Sequence, residues 1–287
     1  MSGATMRSRG ILRASSPWIL ATLVAAATLL APVAAPARDE RGADKRARRT
    51  GEEFEWSGRI APGKSIEIKG VNGGIFVEAG TGSEVEVTAR KRARRSDPDA
   101  VTIEVVEHAD GVTLCAVYPT PRGERQNTCG PGERGHMNTK NNDVEVEFTV
   151  RVPAGVHFIG RTVNGSIEAR GLKADVEAHT VNGSIGVSTR GVARASTVNG
   201  SIDAEMGAAA SEGLEFETVN GGITLTVPAG TGAEVHASTV NGDIATDFPL
   251  TVRGKFSRRS ITGTIGRGGP QLNMSTVNGD IRLRSAS

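Results

Sequence analysis

The tetrapeptide Thr-Val-Asn-Gly occurs six times in this chain, and each copy is followed by one further residue and then by isoleucine. The copies begin at Thr162, Thr180, Thr197, Thr218, Thr239 and Thr276. Two degenerate copies run from Gly70 to Ile75 and from Ser260 to Ile265. A repeat this regular indicates one structural unit that is stacked along the chain, and it constrains the fold before any other feature does.

The residues on both sides of each Asn-Gly pair alternate between apolar and polar side chains. Leu214 and Phe216 precede the copy at Thr218, and Ile223, Leu225 and Val227 follow it. Alternation with a period of two predicts half-buried β-strands. The expected fold class is therefore all-β.

The repeat turns are predicted at eight positions, seven asparagines and one threonine that takes the same place in a degenerate copy: Asn72, Asn164, Asn182, Asn199, Asn220, Asn241, Thr262 and Asn278. From Asn164 onwards the turns are 16 to 21 residues apart. This spacing leaves room in each unit for two short strands and two turns.

Two architectures fit these units. In an antiparallel hairpin repeat or sandwich, each Asn-Gly is a type I′ turn, whose two central residues need positive φ. In a β-solenoid resembling a parallel β-helix, each Asn-Gly is a corner, and identical residues stack at the strand spacing of about 4.8 Å. The solenoid is favoured because only stacking explains why Thr, Val and Ile recur around the turn. It predicts a ladder of asparagine amides, Val and Ile packed inside, and Asn278 at the end of the stack.

The segment between Ile75 and Thr162 has a different pattern. Four alternating runs, at 84–87, 101–105, 112–118 and 143–150, predict strands, with Ala109-Asp110-Gly111 as a hairpin turn between the second and third. We expect an antiparallel β insertion here, with a polar loop over residues 120–142.

The first 37 residues have the pattern of a secretory signal peptide. Three arginines precede an apolar run from Trp18 to Leu30, which is too short to span a bilayer, and Ala35-Pro36-Ala37 fits the cleavage pattern. The expected organisation is a signal peptide (1–37), a charged flexible leader (38–54), a β segment with the insertion (55–160) and a regular repeat segment (161–287). No further membrane span is expected.

Removing residues 1–37 changes the charge balance. Three of the 34 Lys and Arg residues and none of the 32 Asp and Glu residues fall there, which leaves 31 basic against 32 acidic residues. The pI of the whole chain is therefore no argument for a nucleic-acid partner. A basic cluster at 89–95 is interpreted as a solvated strand end, with an anionic partner as the alternative.

Cys115 and Cys129 are the two cysteines of the chain. In an exported protein, an even number with none left over predicts one disulfide. It would close a short polar loop and stabilise the fold by about 3 kcal/mol.

Catalytic and metal-binding patterns are weak. The five histidines share no spacing: His108, His136, His157, His179 and His236. Asp243 and Asp280 follow two of the turns, but the other copies lack the acid that a repeated Ca²⁺ site would need. The carboxylate pairs Asp203/Glu205 and Glu215/Glu217 are interpreted as solvated strand faces rather than the acid and base of a polysaccharide-cleaving enzyme. We expect no cofactor, no metal and no enzymatic activity.

The turn motif Val-Asn-Gly-(Ser, Gly or Asp)-Ile, the element Val152-Pro153-Ala154-Gly155 and the signal peptide together resemble the bacterial DUF4097 family. Its members are described as candidate adhesins with β-strand repeats. The resemblance covers most of residues 55–287 and implies an exported or envelope β-repeat protein, with no particular activity.

Three functions follow as hypotheses. The first is a non-catalytic exported protein that presents an adhesin-like face to an unidentified envelope protein or glycan, in the periplasm, at the cell surface or outside the cell. The second is a structural or assembly module, and the third a polysaccharide-active enzyme. The side chains that vary between repeats, and the disulfide-closed insertion, are where a partner would be chosen.

Overall fold

The computed structural model describes residues 48–208, 212–252 and 257–286. The predicted signal peptide and residues 38–47 of the predicted leader lie outside this part of the chain. The regular secondary structure of the described part is β-strand, apart from one short 3-10 helix at Pro98–Ala100. Its strands are β1 Arg49–Thr50, β2 Phe54–Gly58, β3 Ser65–Lys69, β4 Ile75–Ala79, β5 Val85–Ala93, β6 Thr102–His108, β7 Gly111–Val117, β8 Glu145–Val152, β9 His157–Arg161, β10 Ile167–Leu172, β11 Val176–His179, β12 Ile185–Thr189, β13 Ala193–Asn199, β14 Ile202–Met206, β15 Leu214–Asn220, β16 Ile223–Pro228, β17 Ala233–Asn241, β18 Ile244–Thr246, β19 Leu250–Val252, β20 Ser260–Ile265, β21 Gln271–Asn278 and β22 Ile281–Ala286.

Each repeat forms one rung of a two-sided solenoid, which confirms the predicted fold class. A rung consists of a strand in one sheet, the Val-Asn-Gly corner and a strand in the other sheet. The strand before the corner lies in sheet B, whose order is β19-β20-β17-β21-β15-β13-β11-β9-β3-β7-β6. The strand after the corner lies in sheet A, ordered β1-β5-β8-β4-β10-β12-β14-β16-β22-β18, with β2 also paired to β5.

The core lies between the two sheets and is built from stacked copies of the same positions. The isoleucine after each corner lies over its counterpart in the next rung, and six of these isoleucines are at most 1% exposed: Ile75, Ile167, Ile185, Ile202, Ile223 and Ile281. Complete burial of one such side chain contributes roughly 1.5–3 kcal/mol. Isoleucine is therefore the strongest apolar anchor of the rung.

In each repeat the threonine faces the core and the valine faces outward, whereas valine was predicted to pack inside. The six repeat threonines are 5–6% exposed, whereas the valines that follow them are 38–55% exposed. Each threonine hydroxyl donates a hydrogen bond of 2.8–3.2 Å to the carbonyl of the motif glycine in a neighbouring rung. The predicted burial of valine was wrong because side chains alternate along a strand. Val176 and Ala178 point inward, so Thr180 does too and Val181 points out.

The motif asparagines form a continuous ladder of side-chain amides along the corner. Each amide nitrogen donates to the amide oxygen of the next asparagine over 2.7–2.9 Å, in the order Asn241, Asn278, Asn220, Asn199, Asn182, Asn164 and Asn72. The last member, Asn72, donates to the carbonyl of Val144 at 3.4 Å. The ladder therefore links seven rungs through their side chains.

The glycine of the corner is needed for close approach rather than for positive φ. A Cβ on Gly200 would lie 2.0 Å from the carbonyl oxygen of Gly183, and five other motif glycines show the same clash at 2.0–2.1 Å. Among the motif glycines, only Gly73 has a positive φ. The corner is thus not the type I′ turn of the hairpin alternative.

The rungs do not stack in chain order at the C-terminal end. The rung of Asn278 lies between the rungs of Asn220 and Asn241, because β21 pairs with β15 on one side and with β17 on the other. The expected end position of Asn278 was wrong, and Asn241 occupies the last rung. Thr262 is not a turn residue either: it lies inside β20, which runs antiparallel to β17 and places Thr262 opposite His236.

The insertion contributes a further rung as well as antiparallel strands. β7 pairs in parallel with β3, and β8 pairs in parallel with β4, so this pair extends the solenoid. β6 and β5 then run antiparallel to β7 and β8. β6 ends sheet B, whereas β1 and β2 pair with the outer edge of β5 in sheet A. The predicted hairpin turn connects β6 to β7, and the hydroxyl of buried Tyr118 donates to the carbonyl of Val144 at 2.9 Å. Burial raises the pKa of Tyr118 to about 12.

Two basic segments lie within strands. Arg49–Thr50, inside the predicted leader, pairs with β5 as β1. The 89–95 cluster begins in β5, where Lys91 is buried and contacts Asp99 at 3.1 Å, and Arg90 pairs with Glu53 at 3.2 Å. These ion pairs favour a structural role for the cluster over an anionic partner.

Candidate functional site

A disulfide ties the polar loop to the face of sheet B. Cys115 on β7 is bonded to Cys129, with 5.6 Å between their Cα atoms, as the cysteine count predicted. Cys115 lies beside Lys69 in the register of β3 and β7. The bridge therefore brings residues 129–135 over the outward side of β3.

Lys69 holds the loop in place. Its ammonium group donates to the carbonyl oxygens of Gly130, Gly132 and Arg134 at 2.9, 2.7 and 3.0 Å. Burial beneath the loop lowers the pKa of Lys69, while the nearby Glu67 carboxylate acts in the opposite direction. An outward lysine on a strand gives no signal in the sequence, because its three acceptors lie more than 60 residues away.

Glu67 is a buried carboxylate at the base of the same loop. It is 2% exposed and accepts hydrogen bonds from the Thr113 hydroxyl at 2.9 Å and from the Gly132 N–H at 3.0 Å. Arg161 pairs with it at 3.1 Å. A buried charge is costly unless it is paired and hydrogen-bonded. These three partners satisfy Glu67 and fix the geometry around it.

His108 extends this network to the turn between β6 and β7. Its Nε2 lies 3.1 Å from the Thr113 hydroxyl, and its Nδ1 accepts from the Asp110 N–H at 3.3 Å. Because Thr113 gives its one hydroxyl proton to Glu67, His108 donates from Nε2. The neutral Nε2–H tautomer satisfies both contacts.

Loop, turn and sheet face enclose a cleft of about 500 Å³. Glu67, Ile159 and Arg161 lie on its sheet side, and exposed Glu133 and Arg134 form the loop rim. Acidic and basic side chains line it together. This composition fits a polar ligand that offers hydrogen bonds of both kinds rather than a simple anion or cation.

A row of polar side chains leads from the cleft along sheet B. Arg161 contacts Glu177 at 2.6 Å, Glu177 contacts His179 Nε2 at 2.7 Å, and His179 Nδ1 lies 2.7 Å from the Ser196 hydroxyl. The hydrogen bond from His179 lowers the pKa of Glu177 most, with burial opposing it and the charges of His179 and Arg161 adding to it. His179 is therefore half-buried in a network of hydrogen bonds.

The distances from Ser196 through His179 to Glu177 match those of a nucleophile, a base and an acid. Acyl transfer also needs N–H donors aimed at the developing oxyanion. The backbone of β11 and β13 is engaged in parallel pairing within the sheet, so its N–H groups run along the sheet rather than out of it. The row is a cross-strand polar ladder that stiffens the sheet face.

The other sequence candidates are dispersed. Asp203/Glu205 and Glu215/Glu217 lie on exposed faces of different sheets, on β14 and β15 respectively. Asp243 and Asp280 are brought together by the inverted rung order, and Asp280 accepts from the Asp243 N–H at 3.1 Å and pairs with Arg282 at 2.8 Å. In the described ranges there is no group of three or more His, Cys, Asp or Glu side chains that could hold a metal ion.

Comparison with known families gives one decisive match. The profile of the family called Toastrack DUF4097 matches residues 132–284, which is more than half of the chain. This chain belongs to the Toastrack DUF4097 family.

Two solved structures are similar to this family member at low sequence identity. A candidate cell adhesion protein from Clostridium sporogenes is 12% identical, with a TM-score of 0.46, and the match covers 82% of this chain and 100% of that one. A candidate adhesin from Bacteroides fragilis is 14% identical, with a TM-score of 0.38, and the match covers 82% and 97% of the two chains. Curated proteins gave no match.

The Toastrack region and the cleft overlap only in part. The matched region begins three residues after Cys129 and includes Glu133, Arg134 and Arg161. Glu67, Lys69 and His108 come from the part of the chain before it. The cleft is thus formed by both segments, and its chemistry has to be argued from this chain's own residues. Within the part of the chain that the structure describes, no helix is long and apolar enough to cross a bilayer.

Proposed function

We propose that this chain is an exported, non-catalytic protein of the cell envelope that binds a partner through the cleft beside the disulfide-closed loop. The partner is an envelope protein or a glycan. The observation that carries the proposal is the cleft itself, in which a covalently tied loop and a buried ion-pair network hold polar side chains around a space of about 500 Å³.

Export is supported by two independent features. Residues 1–37 have the signal-peptide pattern, and Cys115 and Cys129 are bonded, a state that persists in oxidising compartments. The disulfide also anchors the segment that follows Cys129, and Pro131 to Arg134 of that segment form the rim of the cleft. The geometry of the binding site is therefore linked to export through this bond.

Some charged groups of the cleft hold the structure together, and others are accessible to a partner. Glu67 and Lys69 are hydrogen-bonded to the loop and the sheet, whereas the side chain of Glu133 is 96% exposed. A rigid sheet that carries a restrained loop is the usual arrangement of a binding site. Glu133 and Arg134 are the groups that contact the partner first, and Arg161 lies behind them.

The affinity comes from polar contacts at the cleft, extended by the ladder from Arg161 to Ser196. Among the described residues that line the cleft there is no Phe, Tyr or Trp, so hydrogen bonds rather than stacking on such rings provide the recognition. Each polar contact with the partner is weak on its own, but side chains on successive rungs can each add one such contact.

The test is binding of the purified, oxidised chain to isolated bacterial envelopes and to a glycan array. The variant Glu133→Ala/Arg134→Ala removes the rim but leaves the carbonyl groups that hold Lys69. The matched control, Asp203→Ala/Glu205→Ala, removes two exposed acids from sheet A. We expect the rim variant to lose binding at least tenfold, which corresponds to about 1.4 kcal/mol, and the control to bind like the wild type. Equal binding by all three proteins would refute the proposal that the partner binds at the cleft.

The second candidate function is an assembly module of the envelope. The unbroken asparagine ladder favours it, since a stack of this kind is a stiff rod by construction. Loss of envelope integrity on deletion of the gene, together with unchanged integrity in the rim variant, would favour assembly over partner binding.

A further inference from the structure

The C-terminal rung occupies a slot that the rest of the chain leaves between two other rungs. β21 pairs with β15 and β17, and β22 pairs with β16 and β18. The chain builds the rung of Asn220 (β15 and β16) and then the rung of Asn241 (β17 and β18). The rung of Asn278 (β21 and β22), which lies between these two, comes later in the chain. Until residues 271–286 arrive, both walls of the slot present open strand edges, which are templates for pairing.

The backbone contacts of the slot are those of any other rung. Gly221 N–H donates to the Asn278 carbonyl and Ile223 N–H to the Asp280 carbonyl, at 3.0 and 2.9 Å. On the other wall, Gly279 N–H donates to the Asn241 carbonyl at 3.0 Å. The slot therefore fits an extended segment with the repeat motif, and the C-terminal rung of a second copy carries it in full.

A short glycine-rich segment connects the rung to β20. Residues 266–270 read Gly-Arg-Gly-Gly-Pro, and Gly266, Gly268 and Gly269 have positive φ values of 57°, 79° and 155°. Glycine adopts positive and negative φ with similar ease. This segment can therefore change its backbone conformation without straining the strands on either side of it, β20 and β21. That is the property of a hinge in domain exchange.

We propose that copies of this chain that fold side by side exchange their C-terminal rungs, so that residues 271–286 of one copy complete the asparagine ladder of the other. Every contact of the rung is the same in the exchanged and the closed form. The balance between them is then set by the hinge and by the local concentration of the protein. The inference does not depend on the cleft, which lies toward the opposite end of the sheets.

Cysteine pairs test the exchange directly. Ser238 on β17 and Ser275 on β21 are register partners, and neighbouring strands are about 4.8 Å apart, within the range that a disulfide spans. One tagged full-length chain carries Ser238→Cys and a differently tagged chain carries Ser275→Cys, and both are co-produced with export. Neither can form this bridge within its own chain. A covalent dimer on non-reducing gels therefore reports exchange.

The matched control pair is Ser196→Cys with Glu217→Cys, partners on β13 and β15 in rungs that follow one another along the chain. We expect several-fold more covalent dimer from the exchanging pair than from this control. In a single chain, the double variant Ser238→Cys/Ser275→Cys should close internally. Closure in that chain, with no dimer above the control in the mixed pair, would overturn the proposal.

Hinge deletion gives a second readout without cysteines. Removing Gly268 and Gly269 shortens the segment by which the chain passes β17 on the way to its own slot, so the closed form should become less favourable and the dimer fraction measured by light scattering should rise. A variant that stays folded and monomeric would contradict rung exchange.

Discussion

The side-chain amide of Asn278 donates to the amide oxygen of Asn220 over 2.7 Å, although 58 residues separate them in the chain. Asn241, which is closer in sequence to Asn220, lies one rung further on and donates to Asn278. The end of the chain thus fills the penultimate place of the ladder. This relationship decides which rungs have two neighbours and which has one.

Removal of a ladder amide should cost more inside the stack than at its end. We expect Asn199→Ala and Asn278→Ala to lower the free energy of unfolding by similar amounts, about 1–2 kcal/mol each, because each breaks two amide contacts. Asn241→Ala breaks one and should cost about half as much. Urea unfolding measures all three. A larger loss for Asn241→Ala than for Asn278→Ala would disagree with the rung order.

Because the rungs approach closely at the corner, the stability lost on replacing a glycine by alanine should depend strongly on where that glycine lies. Gly200→Ala places a methyl group 2.0 Å from the carbonyl oxygen of Gly183 and should cost about 3 kcal/mol. Gly186→Ala is the control, since its nearest neighbour is the flexible Glu168 side chain at 3.4 Å. The control should be neutral or stabilising by up to about 1 kcal/mol. Thermal unfolding of the two variants compares them, and equal losses would count against the close approach.

The orientation of threonine and valine can be tested by replacing each with the other, which exchanges a hydroxyl and a methyl group at nearly constant shape. Thr197→Val removes the hydroxyl that donates to the Gly183 carbonyl at 2.9 Å and should cost about 1 kcal/mol. Val198→Thr changes a side chain that is 40% exposed and should have little effect on unfolding. If Val198→Thr proved the more damaging change, valine rather than threonine would face the core.

The sequence was sufficient to predict the rungs but not their order. The spacing of Asn164, Asn182 and Asn199 and the alternation around them predicted stacked strands, because both are local properties of the chain. The alternation at Val176 and Ala178 places Thr180 on the inward side, and this phase outweighs the greater hydrophobicity of valine. The place of Asn278 could not be derived, since every rung offers the same motif to every other.

The cleft was beyond sequence reasoning for a different reason. The cysteine count predicted the bond between Cys115 and Cys129, and the insertion was expected to matter for binding. The roles of Glu67 and Lys69 depend on where the segment after Cys129 lies over sheet B. That placement is a tertiary property, and neither residue has a motif of its own.

Acid should weaken the junction between β5 and β8 through Asp143. Its carboxylate accepts the N–H groups of Ser96, Arg95 and Arg94 at 2.8, 3.1 and 3.2 Å. These bonds, those from Ser96 first, lower the pKa of Asp143 from 3.8 to about 2. A carboxyl whose pKa is lowered by folding stabilises the fold above its unfolded pKa. The stabilisation should therefore be lost as the pH falls from 3.8 towards 2.

The measurement for Asp143 is the urea midpoint of the wild type and of Asp143→Asn across that pH range. The variant should lose part of the pH dependence, because its amide does not titrate. The same slope in both proteins would assign the acid sensitivity to other carboxylates.

Site-specific photo-crosslinking in living bacteria tests the binding account most directly. A photoreactive residue replaces Ala109, an exposed residue that lines the cleft, in one protein and Asp203 on the outer face of sheet A in another. The account predicts a discrete crosslinked product from position 109 that disappears when Cys115→Ala/Cys129→Ala frees the loop, and no such product from position 203. Crosslinking from position 203 alone, or from position 109 with the loop freed, would contradict it.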